Sequence, residues 1–156
     1  MTLWVVKLGT SLLRGDTSAA IEGYAQGIAA AQKRGDQVVL VTSGAVGLGC
    51  QRLGLTQRPT SVVALQAAAA VGQGYLMALY ERALATYDSR VAQVLLTRTD
   101  LVDRRRYQKA SGTLKQLLEW GVVPIVNEND AVSPAELRFG DNDTLSALVA
   151  AALGAD

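Results

Sequence analysis

The chain has 156 residues, 49% of them hydrophobic and 19% charged, with 15 basic and 14 acidic side chains for a net charge of +1. That apolar mass excludes intrinsic disorder, the near-neutral balance leaves no field to gather nucleic acid or an anionic membrane, and eight aromatics (one Phe, two Trp, five Tyr) are too few for a stacking-based single-strand binder. The lack of histidine rules out Ser-His-Asp and Cys-His catalysis and histidine metal ligation, and the single Cys50 forms no internal disulfide or zinc cluster, as expected in a reducing compartment.

In chain order, the first apolar run is Leu3–Leu8 (LWVVKL), a strand that contains Lys7. The segment MTLWVVKLGTSLL has a lysine inside its apolar run and no basic start, so it reads as a poor signal peptide. Ser18–Arg34 reads as a helix with Ile21, Ala25, Ile28 and Ala29 on one face and Gly35 as its stop. Gln37–Thr42 (QVVLVT) is a second strand, followed by the glycine-rich Ser43–Gly49. From Pro59 to Tyr80 there are 22 residues without a charge, enough to span a bilayer. The run is built on alanine, however, and is interrupted by Gln66, Gly72, Gln73 and Gly74, so Ser61–Tyr87 is expected to be a buried or subunit-contacting helix.

Val91–Thr97 (VAQVLLT) is a third strand. Arg104-Arg105-Arg106, flanked by Asp100 and Asp103, reads as the solvated start of a helix over Arg105–Trp120 rather than a nucleic-acid patch. Val122–Val126 (VVPIV) is a fourth strand. Asn127–Gly140 is polar and is expected to be a loop or small hairpin outside the main sheet. Asn142–Leu153 reads as the last helix, with Asn142 or Asp141 as its N-cap. Short valine-rich strands alternating with helices imply one α/β domain over 1–156. It is a three-layer αβα sandwich with a mainly parallel sheet, expected to be incomplete at the C-terminus because the pattern stops where another strand would begin.

Ligands of open α/β sheets bind at the carboxyl ends of the strands, and here three polar elements should meet there. Lys7 with Gly9-Thr10-Ser11 can be an edge-strand lysine that snorkels, or an ammonium aimed at a phosphate that backbone N–H groups also approach. Gly44, Gly47 and Gly49 have the spacing G-x-x-G-x-G, which is neither the dinucleotide nor the Walker pattern; they make a tight turn or an anion cradle to which Ser43 adds a hydroxyl. Glu128, Asp130, Asp141 and Asp143 are solvated loop acids or site residues. An EF-hand starting at Asp141 fails, because its fifth and sixth positions are Leu145 and Ser146.

Five segments in this order resemble the amino-acid kinase family over essentially the whole chain. They are VVKLGTS (Val5–Ser11), VTSGAVGLG (Val41–Gly49), LLTRTDLVDRRRY (Leu95–Tyr107), IVNENDAV (Ile125–Val132) and FGDNDTLSALVA (Phe139–Ala150). The NENDAV and GDND pair is similar to the branch that acts on glutamate. The resemblance implies phosphoryl transfer from ATP, accompanied by Mg2+, to the side-chain carboxylate of L-glutamate. The product is L-glutamyl 5-phosphate, at the first step of proline biosynthesis.

It further implies that Lys7 stabilises the transferring phosphate with Gly9, Thr10, Ser11 and Gly44. Ser43, Asp130 and Asn142 would bind glutamate with Asn127 close by, and Asp143 would orient lysine side chains. No protein-held metal is implied. A substrate carboxylate is already ionised at neutral pH, so no general base is required. The family continues into a nucleotide-binding half, and often a C-terminal module, that this chain does not contain, so it is expected to be the glutamate-binding part. A cytoplasmic homo-oligomer is expected, with proline as a feedback inhibitor and no nucleic-acid or membrane partner through this part. Two other readings stand beside it: a catalytically silent glutamate- or proline-binding regulatory module, and an amino-acid kinase for a different carboxylate.

Overall fold

Four valine-rich runs form four parallel strands, β1 (Leu3–Leu8), β2 (Gln37–Thr42), β3 (Arg90–Leu96) and β4 (Val122–Glu128), in the order β1-β2-β4-β3. The computed structural model describes residues 1–13, 16–133 and 142–155, with residues 12 and 13 described by their backbone alone. Successive strand residues point to opposite faces, so a continuous apolar run serves two cores at once. Val38, Leu40, Val123 and Ile125 join Ile21, Ile28, Leu76 and Leu84 on one side; Val39, Val41 and Val126 join Leu114, Leu118, Leu145 and Val149 on the other.

The first core is covered by α1 (Thr17–Lys33), α2 (Ala45–Arg52) and α3 (Val62–Ala85). The second is covered by α4 (Arg98–Val102), α5 (Arg104–Glu119) and α6 (Asn142–Leu153). The result is the expected three-layer αβα arrangement. The helix starts follow from local chemistry: Asp16, Ser61 and Asp103 accept from the N–H groups of Ala19, Ala64 and Arg106.

Three sequence expectations are corrected. The glycine-rich segment after β2, expected to be a tight turn or an anion cradle through Gly44, Gly47 and Gly49, is a turn at Gly44 alone, at φ 99°, while Gly47 and Gly49 lie inside α2. The reason is helix packing. A Cβ on Gly49 would stand 1.7 Å from the Ala68 carbonyl oxygen, and one on Gly72 would stand 1.7 Å from that of Ala45, so both glycines let α2 and α3 touch backbone to backbone. Second, Asn127 and Glu128 belong to β4, because their backbone continues the ladder opposite Leu95 and Leu96 of β3. The rest of the expected loop or hairpin is a turn as far as residue 133, and residues 134–140 lie outside the described residues. Third, the helix expected from Arg105 is preceded by the short α4, started by a reciprocal capping box between Thr97 and Asp100.

Helix α3, which carries charge only at Glu81 and Arg82 near its end, is long and apolar enough to cross a membrane by length and composition. Ala68, Ala69, Gly72, Gln73, Leu76, Leu79, Tyr80, Ala83 and Leu84 nevertheless form a buried stripe against the rest of the fold. Val63, Ala67, Val71 and Ala78 form an exposed one.

Two predictions come from this packing. Gly49→Ala and Gly72→Ala should each cost on the order of 3 kcal/mol or more, because a methyl group has no space against a backbone carbonyl. Gly47→Ala, which meets nothing within 4 Å inside the same helix, should be neutral or stabilising by up to about 1 kcal/mol. Urea midpoints of the three variants check this. Asp100 gives the second. Burial raises its pKa, but bonds from the Thr97 hydroxyl and N–H and from Arg106 outweigh burial and hold it below its ordinary 3.8. A lowered folded pKa contributes stability above the unfolded value and loses it as pH falls through the folded one. Asp100→Asn should therefore destabilise the protein at neutral pH, with the gap to wild type closing as the pH drops below about 4.

Candidate functional site

The parallel order brings the carboxyl ends of β1, β2 and β4 to one edge, and the first turn of α6 lies across them. Lys7 stands on β1, opposite Val41 in the register, with β1 at the edge of the described sheet. Its Nζ lies 2.6 Å from Asp143 Oδ1, and the two side chains are 31% and 63% exposed. The ion pair is therefore reachable from solvent. Gly9 leaves the room it needs: a Cβ there would come within 3.0 Å of the Lys7 ammonium. Thr10 and Ser11 open a single 3-10 turn, Thr10–Leu13, and both are exposed.

Asn142 is buried in the first turn of α6 and does not serve as its N-cap; Asp141 lies outside the described residues. The Asn142 amide instead donates toward the Thr42 carbonyl, toward Ser43 Oγ at 2.8 Å and toward Asn127 Oδ1 at 3.0 Å. Asn127 Oδ1 also accepts from the Glu128 N–H at 2.9 Å. Thr42 is held from its other side by the Tyr80 hydroxyl, 2.7 Å from Thr42 Oγ1. Burial pushes the Tyr80 pKa up to about 12, so that hydroxyl stays neutral.

Gly44 follows Ser43 and starts α2 without a side-chain cap, so the N–H groups of the first turn of α2 lack a side-chain acceptor at the cap position. A helix N-terminus of this kind attracts anions.

Asp130 lies in the turn after β4. It lines a cavity of about 300 Å³ together with Gln73, Gln93, Glu128 and Asn129. The structure thus brings Lys7 to Asp143 and Asn142 to Ser43 and Asn127, and it sets Asp130 on the wall of the neighbouring cavity. Among the described residues no group of three or more carboxylate or thiol side chains could hold a metal ion.

Two side chains were missed by the reading of the sequence. Gln73 on α3 accepts from Asn127 Nδ2 at 2.9 Å and donates to Gln93 Oε1 on β3 at 2.9 Å. The available signal was that Gln73 is the one amide on the stripe 69, 72, 73, 76, 80 of a helix otherwise apolar there; a buried amide must be bonded, so it implies a polar neighbour.

Chemically, the edge offers a half-buried cation paired with Asp143, an uncapped helix start and a set of fixed amides and hydroxyls. That set suits a ligand carrying both anionic and ammonium groups, and a second anion beside Lys7.

A model of the amino acid kinase family matches residues 2–156. The chain is 81% identical over 155 residues to a glutamate 5-kinase of Synechococcus sp. (strain CC9902), covering 99% of this chain and 43% of that protein. It is 68% identical over 160 residues to a glutamate 5-kinase of Prochlorococcus marinus (strain MIT 9313), covering 100% of this chain and 44% of that one. The chain therefore spans less than half the length of these curated relatives. An aspartate kinase from Synechocystis shares the fold, with a TM-score of 0.64 at 20% identity, over all of this chain and 27% of that one.

Asp143 gives a prediction from geometry alone. An ion pair this exposed contributes about 1 kcal/mol or less to folding. Asp143→Asn should shift the urea unfolding midpoint by no more than that, and a loss of several kcal/mol would mark the pair as a structural element.

Proposed function

The chain belongs to the amino acid kinase family, and on that premise we propose that it is the acceptor-binding part of an enzyme that phosphorylates the side-chain carboxylate of L-glutamate with ATP, the entry step to proline. The observation that carries the reading is the convergence, at one sheet edge, of the Lys7–Asp143 pair with the buried amide cluster of Asn142, Asn127 and Ser43.

Each residue has a task set by charge. The nucleophile and the γ-phosphate are both anionic, so their approach must be screened; Lys7, directed by Asp143, sits on the transferring phosphate and gains most where its charge is spread in the transition state. Gly9, Thr10, Ser11 and Gly44 add backbone donors for the same oxygens. Ser43, Asn127 and Asn142 grip the α-carboxylate and ammonium of glutamate, and the Asp130 carboxylate complements the ammonium. The nucleotide phosphates would hold the Mg2+, which would supply neutralisation of their negative charge. The adenine and ribose contacts are left to the nucleotide-binding half that the family resemblance implies. Proline, which carries the same α-carboxylate and an α-ammonium, would compete for the same amides. The exposed stripe of α3, with Val63 76% and Val71 43% exposed, supports self-association. A cytoplasmic location, where ATP and glutamate are abundant, suits this chemistry.

Steady-state kinetics on the protein at the full length of its reading frame test the reading. Lys7→Ala should lower kcat by orders of magnitude with little change in the glutamate requirement. Asp130→Ala and Asn142→Ala should each raise the glutamate requirement by about ten- to a hundredfold, the worth of a hydrogen bond to a charged group, and leave the ATP requirement nearly alone. If instead both variants lose only thermal stability while glutamate saturation is untouched, the two residues merely brace the fold.

A further inference from the structure

The amides at this edge form a string with one direction. Asn142 Nδ2 donates to Asn127 Oδ1, Asn127 Nδ2 donates to Gln73 Oε1, and Gln73 Nε2 donates to Gln93 Oε1, at 3.0, 2.9 and 2.9 Å. It runs from α6 through β4 and α3 to β3, so four separate elements meet in it. An amide side chain has a donor end and an acceptor end of nearly equal shape, and packing alone scarcely distinguishes them. What fixes the direction is the neighbouring group. Asn127 is 2% exposed and Gln73 8% exposed, so water does little to relax either one. If Asn127 turned over, its NH2 would face both the Glu128 N–H and the Asn142 NH2, and its oxygen would face Gln73 Oε1.

We infer that Gln73 is a positioning residue for the acceptor site: its Oε1 holds the Asn127 amide in the sense that makes Asn127 Oδ1 an acceptor, and so turns the Asn142 amide toward Ser43. The inference rests on the reading of Ser43 and Asn142 as glutamate-binding residues. It adds that the orientation of these groups is set from α3, a helix whose composition otherwise speaks only of packing. Gln93 completes the string at the wall of the cavity that Asp130 also lines, so the same string links the two parts of the candidate site.

The acceptor and donor functions of Gln73 can be separated. Gln73→Glu keeps an acceptor for Asn127 Nδ2, whereas Gln73→Met keeps the length and removes both functions. Glutamate affinity by calorimetry, on the protein at the full length of its reading frame, should fall about tenfold in Gln73→Met and stay within about threefold of wild type in Gln73→Glu. The ATP requirement and the saturated rate should hardly move. If Gln73→Met does not fold, Gln73→Ala takes its place; it leaves space for a water that can donate or accept and so sets no direction. Wild-type glutamate affinity in Gln73→Met or Gln73→Ala, with a lowered melting temperature, would overturn the positioning role and leave the acceptor-site reading intact. Equal loss in Gln73→Glu and Gln73→Met would overturn it too, since the acceptor would then not matter. Failure of the underlying reading has its own signature: the wild-type protein does not bind glutamate, or Asn142→Ala binds it as tightly as wild type.

Discussion

The side-chain amide of Asn142 joins parts of the chain that are a hundred residues apart. It gathers the Thr42 carbonyl and Ser43 from the end of β2 and Asn127 from the end of β4. In a parallel sheet, neighbouring strands end at the same edge, and each end leaves backbone groups to be satisfied. Here a helix start supplies them. Because Asn142 is fixed, the next residue, Asp143, is carried to Lys7 on β1, which β2 separates from β4. The position of the ion pair is thus a consequence of the amide cluster.

Helix α3 supports this edge from below through two unlike devices. Gly72 lets it lie against α2 at backbone contact, which sets the height of the Ser43–Gly44 turn where α2 begins. Tyr80 and Gln73 then reach the site from the same buried stripe, one to Thr42 and the other to Asn127. A helix made mostly of alanine has little side-chain bulk with which to position anything, so its few polar groups and its missing Cβ atoms carry that task.

Much of this was legible in the residues. The four strands could be read from their valine-rich runs, and Lys7, Ser43 and Asn127 could be assigned to one edge because parallel strands share their carboxyl ends, whereas Asn142, on the last helix, was pointed to by the family resemblance. What was hidden depends on long-range packing. Gly47 and Gly49 suggested a turn or anion cradle rather than helix interior, since nothing local reveals that another helix passes 1.7 Å from where a Cβ on Gly49 would be. Asn127 and Glu128 suggested a loop because their polarity masks a ladder with β3. Gln73 was visible only as an interruption that argues against a membrane span; its partners are 20 and 54 residues away.

Hydrogen–deuterium exchange with and without L-glutamate tests the central claim most directly, because it reports which end of the sheet takes the ligand. The fold also has a larger cavity, about 450 Å³, at the opposite end, lined by Gly35, Gln37, Asp88 and Gly121 among others. Binding at the strand ends predicts protection of Ser43–Gly47, Asn127–Ala131 and the first turn of α6. Protection confined to residues 35–38 and 87–89, with the strand ends unchanged, would contradict it.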